Sequence, residues 1–452
     1  MASKISRRHF LMGCSAAIAA LAGSRITHLA FAANGGAPEA LIVLFLRGGW
    51  DGLNVVPPIA VSADRGIYET SRPTLKIPTS GVGAALNLDD FFGLHPSMAP
   101  LLSLYQAQKM AVIHAAGLVY DTRSHFDAMQ FMELGTPGVK TTNTGWLTRY
   151  LETLSLSNIG ALPALSAGSN RAASLLGYSD AISMTSPSSF HVGGSSTYRA
   201  QQTNALRNMY GATADWLDAA GRETVQTIDL IQSKGITNYT PANGALYPTG
   251  SFGDNLKVIA QMLKADVGLT TATVDLGGWD THENQGQAQS ATSYMSTLLN
   301  TLASGLKALY TDLDGCGASD YASRTTIVVM SEFGRRLKEN ASRGTDHGHG
   351  NVMLVLGNNV KGGQVYGTWA GLGNGQLYQN SDLAVTTDYR RVLSEILARR
   401  LGRSTPQLNS IFPNYTQEAP LDFMVDGYVA PPAPAGPYSL YLPVISRAAH
   451  CP

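Results

Sequence analysis

Short, mostly apolar runs alternate with amphipathic ones through this chain. Leu41–Leu46, Met110–Ala115, Thr273–Gly277, Thr325–Met330 and Val352–Leu356 have the length and the nearly unbroken apolar character of strands buried on both faces. Helical patterning runs through Met98–Gln106, Ser124–Leu134, Tyr198–Ser233, Asp254–Lys264, Ser290–Asp312 and Thr387–Leu401. This alternation predicts an α/β fold, a mostly parallel central sheet flanked by helices. Residues 151–250 are rich in Ser, Ala, Thr, Gly and Asn and carry only a weak strand signal. They read either as a helical insertion capping the carboxyl edge of the sheet or as a helical layer of the same domain.

The two ends have a different character. Ser6-Arg7-Arg8-His9-Phe10-Leu11, a modest apolar run from Cys14 to Ala22 and Ala30-Phe31-Ala32 together match a cleavable twin-arginine export signal over 1–32. The implied partner is the twin-arginine translocase, and the implied location is periplasmic, cell-surface or secreted. The apolar run is too short for a stable transmembrane segment. The expected α/β domain covers 37–425, and a Pro-rich tail follows over 426–452, read as a linker with a terminal strand, a frayed end or a sorting tag.

Composition narrows the function classes. The chain has 452 residues, 44% hydrophobic and 14% charged, with 32 basic and 32 acidic residues. Residues 1–32 hold Lys4, Arg7, Arg8 and Arg25 and no acid, so the remainder carries 28 basic and 32 acidic residues, a net of about −4. No basic stripe is left to bind nucleic acid. Cys316 and Cys451, the two cysteines after the leader, can pair but form no disulfide framework, and the absence of Cys-x-x-Cys argues against thiolate zinc.

Three motifs follow strand-like runs and concentrate the chemistry: TVDLGGWDTH (273–282), TIVVMSEFGRR (326–336) and GTDHGHG (344–350). They bring His282, His347 and His349 together in sequence with Asp280, Glu332 and Asp346, a ligand set suited to a divalent cation. The run ALIVLFLRGGWDG (40–52) repeats the Gly-Gly-Trp-Asp ending, which puts Asp51 at a strand end equivalent to that of Asp280. Asx-turn roles explain either aspartate alone; the repetition beside histidines favours a shared site. At the opening of a predicted helix, Asp121-Thr122-Arg123-Ser124-His125-Phe126-Asp127 offers Ser124 as nucleophile or as an N-cap with Asp127. Arg123 suits an anionic group, and His125 a metal, an anion or a purely structural contact. Arg335 and Arg336 either serve an anion too or cover a helix face.

FLRGGWDGLN, FFGLHPSM, TRSHFDAM, GGWDTH, SEFGRR, TDHGHG and TTDYR together resemble the bacterial family called domain of unknown function 1501, over roughly residues 37–415. That family is similar to the alkaline phosphatase and sulfatase superfamily, which implies an α/β fold with a metal-dependent site for phosphate or sulfate esters. The resemblance implies Asp51 as a metal ligand and Ser124 as nucleophile. It implies Asp280 and His282 on one metal, completed by His347 or His349. Glu332 falls where the superfamily carries the aspartate of an Asp-His pair for a second metal, and Phe333 stands where that pair's histidine is expected. Ser124 lacks the Cys/Ser-x-Pro-x-Arg context of sulfatases, which favours phosphoesters. The expectation is an exported hydrolase of small-molecule or polymer-linked anionic esters, using zinc, manganese, magnesium or calcium. The alternative is a non-catalytic exported envelope or surface binding protein on the same fold. A redox protein finds no dinucleotide fingerprint and no cluster-binding cysteines.

Overall fold

The computed structural model describes residues 38–154, 162–210, 216–233 and 239–425. The export signal, the Pro-rich tail and Cys451 lie outside the described residues.

The centre is a nine-stranded sheet. Its strands are β1 (Ala40–Arg47), β4 (Met110–Gly117), β5 (Ala164–Ala167), β6 (Ala181–Met184), β7 (Thr271–Gly277), β8 (Thr325–Ser331), β9 (Asn351–Leu356), β10 (Val365–Tyr366) and β11 (Thr387–Asp388), while β2 (Leu86–Asn87) and β3 (Gly93–Leu94) form a separate small ribbon. The order is β10-β4-β9-β8-β1-β7-β5-β6, with β11 also on β4. All pairings in it are parallel except those of β9, which runs antiparallel to both β8 and β4. The five strands expected from sequence all lie in this sheet. β5 and β6, at one end of the sheet, come from the Ser/Ala-rich stretch, where four-residue runs leave little pattern to read.

Alternation along β1 shows how the layers form. Ala40, Ile42, Leu44 and Leu46 enter one core and Leu41, Val43 and Phe45 the other, because successive side chains of a strand point to opposite faces. The first core is closed by the helices Ala99–Gln106, Ser251–Lys264 and Tyr294–Leu313. The second is closed by α-helices His125–Leu134, Trp146–Glu152, Tyr389–Arg399 and Thr405–Ile411. A strand buried on both sides needs a continuous apolar sequence, and β1 has one. The patterned run 198–233 holds two helices, Arg199–Met209 and Trp216–Ser233. Among the described residues no helix is long and apolar enough to cross a membrane.

The carboxyl ends of β1, β7 and β8 lie side by side, and antiparallel β9 starts at that same edge. Crossover connections leave such an edge open, which is where α/β proteins place their sites.

Candidate metal centre

The two Gly-Gly-Trp-Asp loops pack directly on each other. Gly48 has φ +121°, and a Cβ built there would lie 2.6 Å from the backbone nitrogen of Asp280. Only glycine allows both the angle and the approach. Trp50 and Trp279, the third residues of the two copies, meet edge to face with ring centroids 5.8 Å apart. Arg335 binds the loops together from below. Its fully buried guanidinium donates to the carbonyls of Gly48, Gly49, Trp279 and Thr345 and to Asp280 Oδ1. There is no helix at this position, and Arg335 covers no helix face.

The two aspartates then part company. Asp51 is buried, with Oδ2 accepting from Arg72 Nη1 at 2.5 Å and from Gln285 Nε2 at 2.7 Å. Asp280 is half exposed. Its Oδ1 accepts from Arg335 Nη2 at 2.7 Å and faces three imidazole Nε2 atoms: His282 at 3.1 Å, His347 at 3.2 Å and His125 at 3.3 Å. His125 arrives on the first residue of its helix, and the glycines of GTDHGHG let the His347 loop lie against residues 281–282 and 335–336.

Each of the three rings has its other nitrogen held by an oxygen acceptor. His125 Nδ1 lies 2.7 Å from Oε1 of the fully buried Glu332, which also accepts the Gly48 N–H. His282 Nδ1 lies 3.0 Å from Asp346 Oδ1, and His347 Nδ1 lies 2.8 Å from the carbonyl of Arg123. A carbonyl only accepts, so His347 Nδ1 carries the proton. Asn340 and His282 hold the Asp346 carboxyl below its usual range, so it too acts as acceptor. In their neutral forms all three rings therefore turn an Nε2 lone pair inward.

The electrostatics match this geometry. Burial alone would raise the Asp280 carboxyl, but Arg335, with His347 and His125, pulls it down to about 2. Burial works against charge on His125, yet Glu332 and Asp280 outweigh it and raise the pKa of the ring. Burial lowers His347. Carboxylates that favour a proton on His125 favour any cation in the same place.

A divalent cation fits this donor set. The ligand atoms of His125, Asp280 and His347 lie within 4.8 Å of one another. His125 Nε2 is buried without a hydrogen-bond partner, and Nε2 of His282 lies 2.8 Å from Nε2 of His347. Histidine ligands whose second nitrogen is fixed by a carboxylate or carbonyl are the usual construction of a metal site.

The structure thus gathers Asp280, His282 and His347 and adds His125, whose placement the helix-opening motif had left open. Glu332 reaches the cluster only through His125. Two expected ligands stand elsewhere. Asp51 is corrected to a buried ion-pair partner of Arg72, and His349 to a ring stacked on Tyr378 at 4.0 Å. Ser124 caps its helix, accepting from the Asp127 N–H at 3.4 Å, one residue before His125. Arg123 points its guanidinium at Gln379 and at buried Asp382, 2.5 Å away, which raises its pKa. Gln285 escaped assignment in the sequence. Asp346, read there as one of the ligand set, instead fixes the His282 ring, while Arg335, read as an anion or helix-face residue, binds Asp280 and the loop carbonyls. All three roles depend on contacts between distant loops.

Among solved structures, Ps i-CgsB in complex with k-i-k-neocarrahexaose is 12% identical, covering 73% of this chain and 68% of that one at a TM-score of 0.32. The lipoteichoic acid synthase LtaP from Listeria monocytogenes is 8% identical, covering 76% and 71% at a TM-score of 0.31. Thermus thermophilus alkaline phosphatase is 13% identical, covering 68% and 62% at a TM-score of 0.25. No curated protein matches the chain. The family described as Protein of unknown function (DUF1501) matches residues 38–412, most of the sequence, and the chain belongs to that family.

Proposed function

We propose that this protein is a metal-dependent hydrolase of phosphate or sulfate esters. One divalent ion would be held by His125, Asp280, His282 and His347. The observation that carries the reading is the convergence of three imidazole Nε2 atoms on Asp280 Oδ1, each ring fixed from behind by Glu332, Asp346 or the Arg123 carbonyl. Three nitrogens with one carboxylate suit zinc or another borderline transition ion better than the all-oxygen preference of magnesium or calcium. When bound, such an ion acts as a Lewis acid on an ester oxygen and lowers the pKa of a hydroxyl or water.

The chain's own residues supply the rest. Arg335 keeps Asp280 ionised. Glu332 fixes the His125 ring. Ser124 sits at the N-terminus of a ten-residue helix, where unsatisfied N–H groups favour an anion, and it is the candidate nucleophile. Its setting, without a sulfatase-type motif, favours phosphate esters.

The test is an ester panel run on metal-loaded wild type and on Asp280→Ala. Hydrolysis of a phosphate or sulfate ester, lost in the variant, supports the proposal. Stoichiometric metal with no turnover on any ester would turn it over to the second reading, a non-catalytic exported binding protein. The observation favouring that reading is Arg123, whose Nη2 is held by Asp382 and Gln379.

A further inference from the structure

We infer that Gln285 is a positioning residue for the metal centre, and that Asp51 acts on the centre through it. The inference rests on the metal-site reading above. Gln285 is fully buried and lies five positions after Asp280 in a stretch without regular structure. Both ends of its amide are used. Oε1 accepts from Thr281 Oγ1 at 2.9 Å and from Thr345 Oγ1 at 2.8 Å, while Nε2 donates to Asp51 Oδ2 at 2.7 Å.

Those partners sit next to the ligands. Thr281 lies between Asp280 and His282. Thr345 directly precedes Asp346, which fixes His282, and stands two residues before His347. The two threonines are also joined through their backbones, Thr345 N donating to the Thr281 carbonyl at 3.0 Å. Beyond Asp51, Arg72 donates to Asn54 and to the carbonyls of Arg336 and Leu337, the residues just past Arg335. One amide therefore joins the loop of the first Gly-Gly-Trp-Asp copy to the two loops that carry three of the four ligands.

The chemistry at this position requires an amide. One end must accept two hydroxyl protons and the other must donate to a carboxylate. Glutamate would set a second carboxylate against Asp51, and methionine would strand two hydroxyls and a buried carboxylate. Asp51 Oδ1 already has no partner, so Arg72 and Gln285 are what fix this side chain. Gln285 touches no ligand nitrogen. Its effect is on where Asp280, His282 and His347 stand, and outer partners of this kind change metal affinity by about 10–100-fold.

The experiment titrates zinc, and manganese in parallel, into wild type, Gln285→Met, Thr281→Val and Thr345→Val against a chromophoric chelator. Melting temperatures of the metal-free proteins are measured alongside. The expected result is roughly 10–100-fold weaker binding in Gln285→Met and a smaller loss in each threonine variant, with folded circular dichroism spectra. Variants that melt earlier yet bind metal with wild-type affinity would show a purely structural role and overturn the inference. If Gln285→Met does not fold, the two threonine variants decide by the same comparison. A wild type that takes up neither metal overturns the metal reading itself before any variant is compared, so the two failures are distinct.

Discussion

Nε2 of His282 lies 2.8 Å from Nε2 of His347, while Nδ1 of each ring is committed to an oxygen acceptor. Two neutral imidazoles in that arrangement face each other lone pair to lone pair, and a cation relieves the repulsion. Metal binding should therefore stabilise the fold, by roughly 2.7 kcal/mol at a free concentration one hundred times Kd. His282→Ala and His347→Ala should lose most of that gain. The ion count should be one per chain. The Phe333 ring, which offers no ligand atom, packs 4.8 Å from His125 and 4.9 Å from His347, and Asp51 is held by Arg72. Thermal melts with and without zinc, combined with elemental analysis, check both statements. Two ions per chain, or an unchanged melting temperature at saturating metal, would contradict them.

The closeness of the paired loops makes Gly48 a sensitive backbone position for the centre. An alanine Cβ would meet the Asp280 nitrogen at 2.6 Å, and φ +121° is itself strained for any side chain. Gly48→Ala should cost about 1–3 kcal/mol of stability from the backbone alone. It should also displace Asp280 and weaken metal uptake. Chemical denaturation and metal titration of the same preparation measure the two effects; full metal affinity in this variant would mean that Asp280 does not depend on the Gly48 contact.

What the sequence shows, and what it hides, follows from the range of each interaction. β1, β4, β7, β8 and β9 are legible because a strand buried on both faces must be apolar throughout. β5 and β6 are not, because four residues within a Ser/Ala-rich stretch carry no pattern. The repeated Gly-Gly-Trp-Asp correctly points to two loops that meet, since Trp50 and Trp279 touch. It misleads on Asp51, because nothing local indicates that Arg72, twenty-one positions on, is the group that claims that carboxylate. His349 looks equivalent to His347 in GTDHGHG; only Tyr378, on a later loop, shows that its ring lies in a different contact. His125 was readable as a candidate but not as a partner of Asp280, a pairing that needs the sheet order.

Ser124 is the observed helix cap and the proposed nucleophile, and substitution can separate the two. Alanine removes both the hydroxyl and the helix cap, which costs about 1 kcal/mol, whereas glycine at an N-cap loses only a few tenths. Ser124→Gly should therefore melt close to wild type. If Ser124 is the nucleophile, the same variant should lose hydrolysis of any ester that wild type cleaves by at least about 100-fold, a loss of the order that follows removal of a nucleophile. Turnover that persists in Ser124→Gly would leave the residue as a cap alone.

Acid should weaken the fold through two histidines outside the centre. His114 is fully buried between Phe92 and Trp369, its Nε2 2.9 Å from the Val56 carbonyl and its Nδ1 accepting the Ala115 N–H. Both nitrogens are satisfied only in the neutral ring. His95 likewise accepts the Ser97 N–H at Nδ1. Burial pushes each down from 6.5 to about 4. The folded state therefore binds fewer protons than the unfolded chain as the pH falls. The stability these neutral rings contribute is fully present above pH 6.5 and is lost progressively as the pH drops through 4. Each contributes on the order of 3 kcal/mol at the neutral end. Urea unfolding of metal-free protein between pH 7 and 4 should show the decline, and His114→Gln should make it shallower by about one proton's worth of slope. An unfolding free energy that stays level across this window would mean that these rings become protonated without disturbing their contacts.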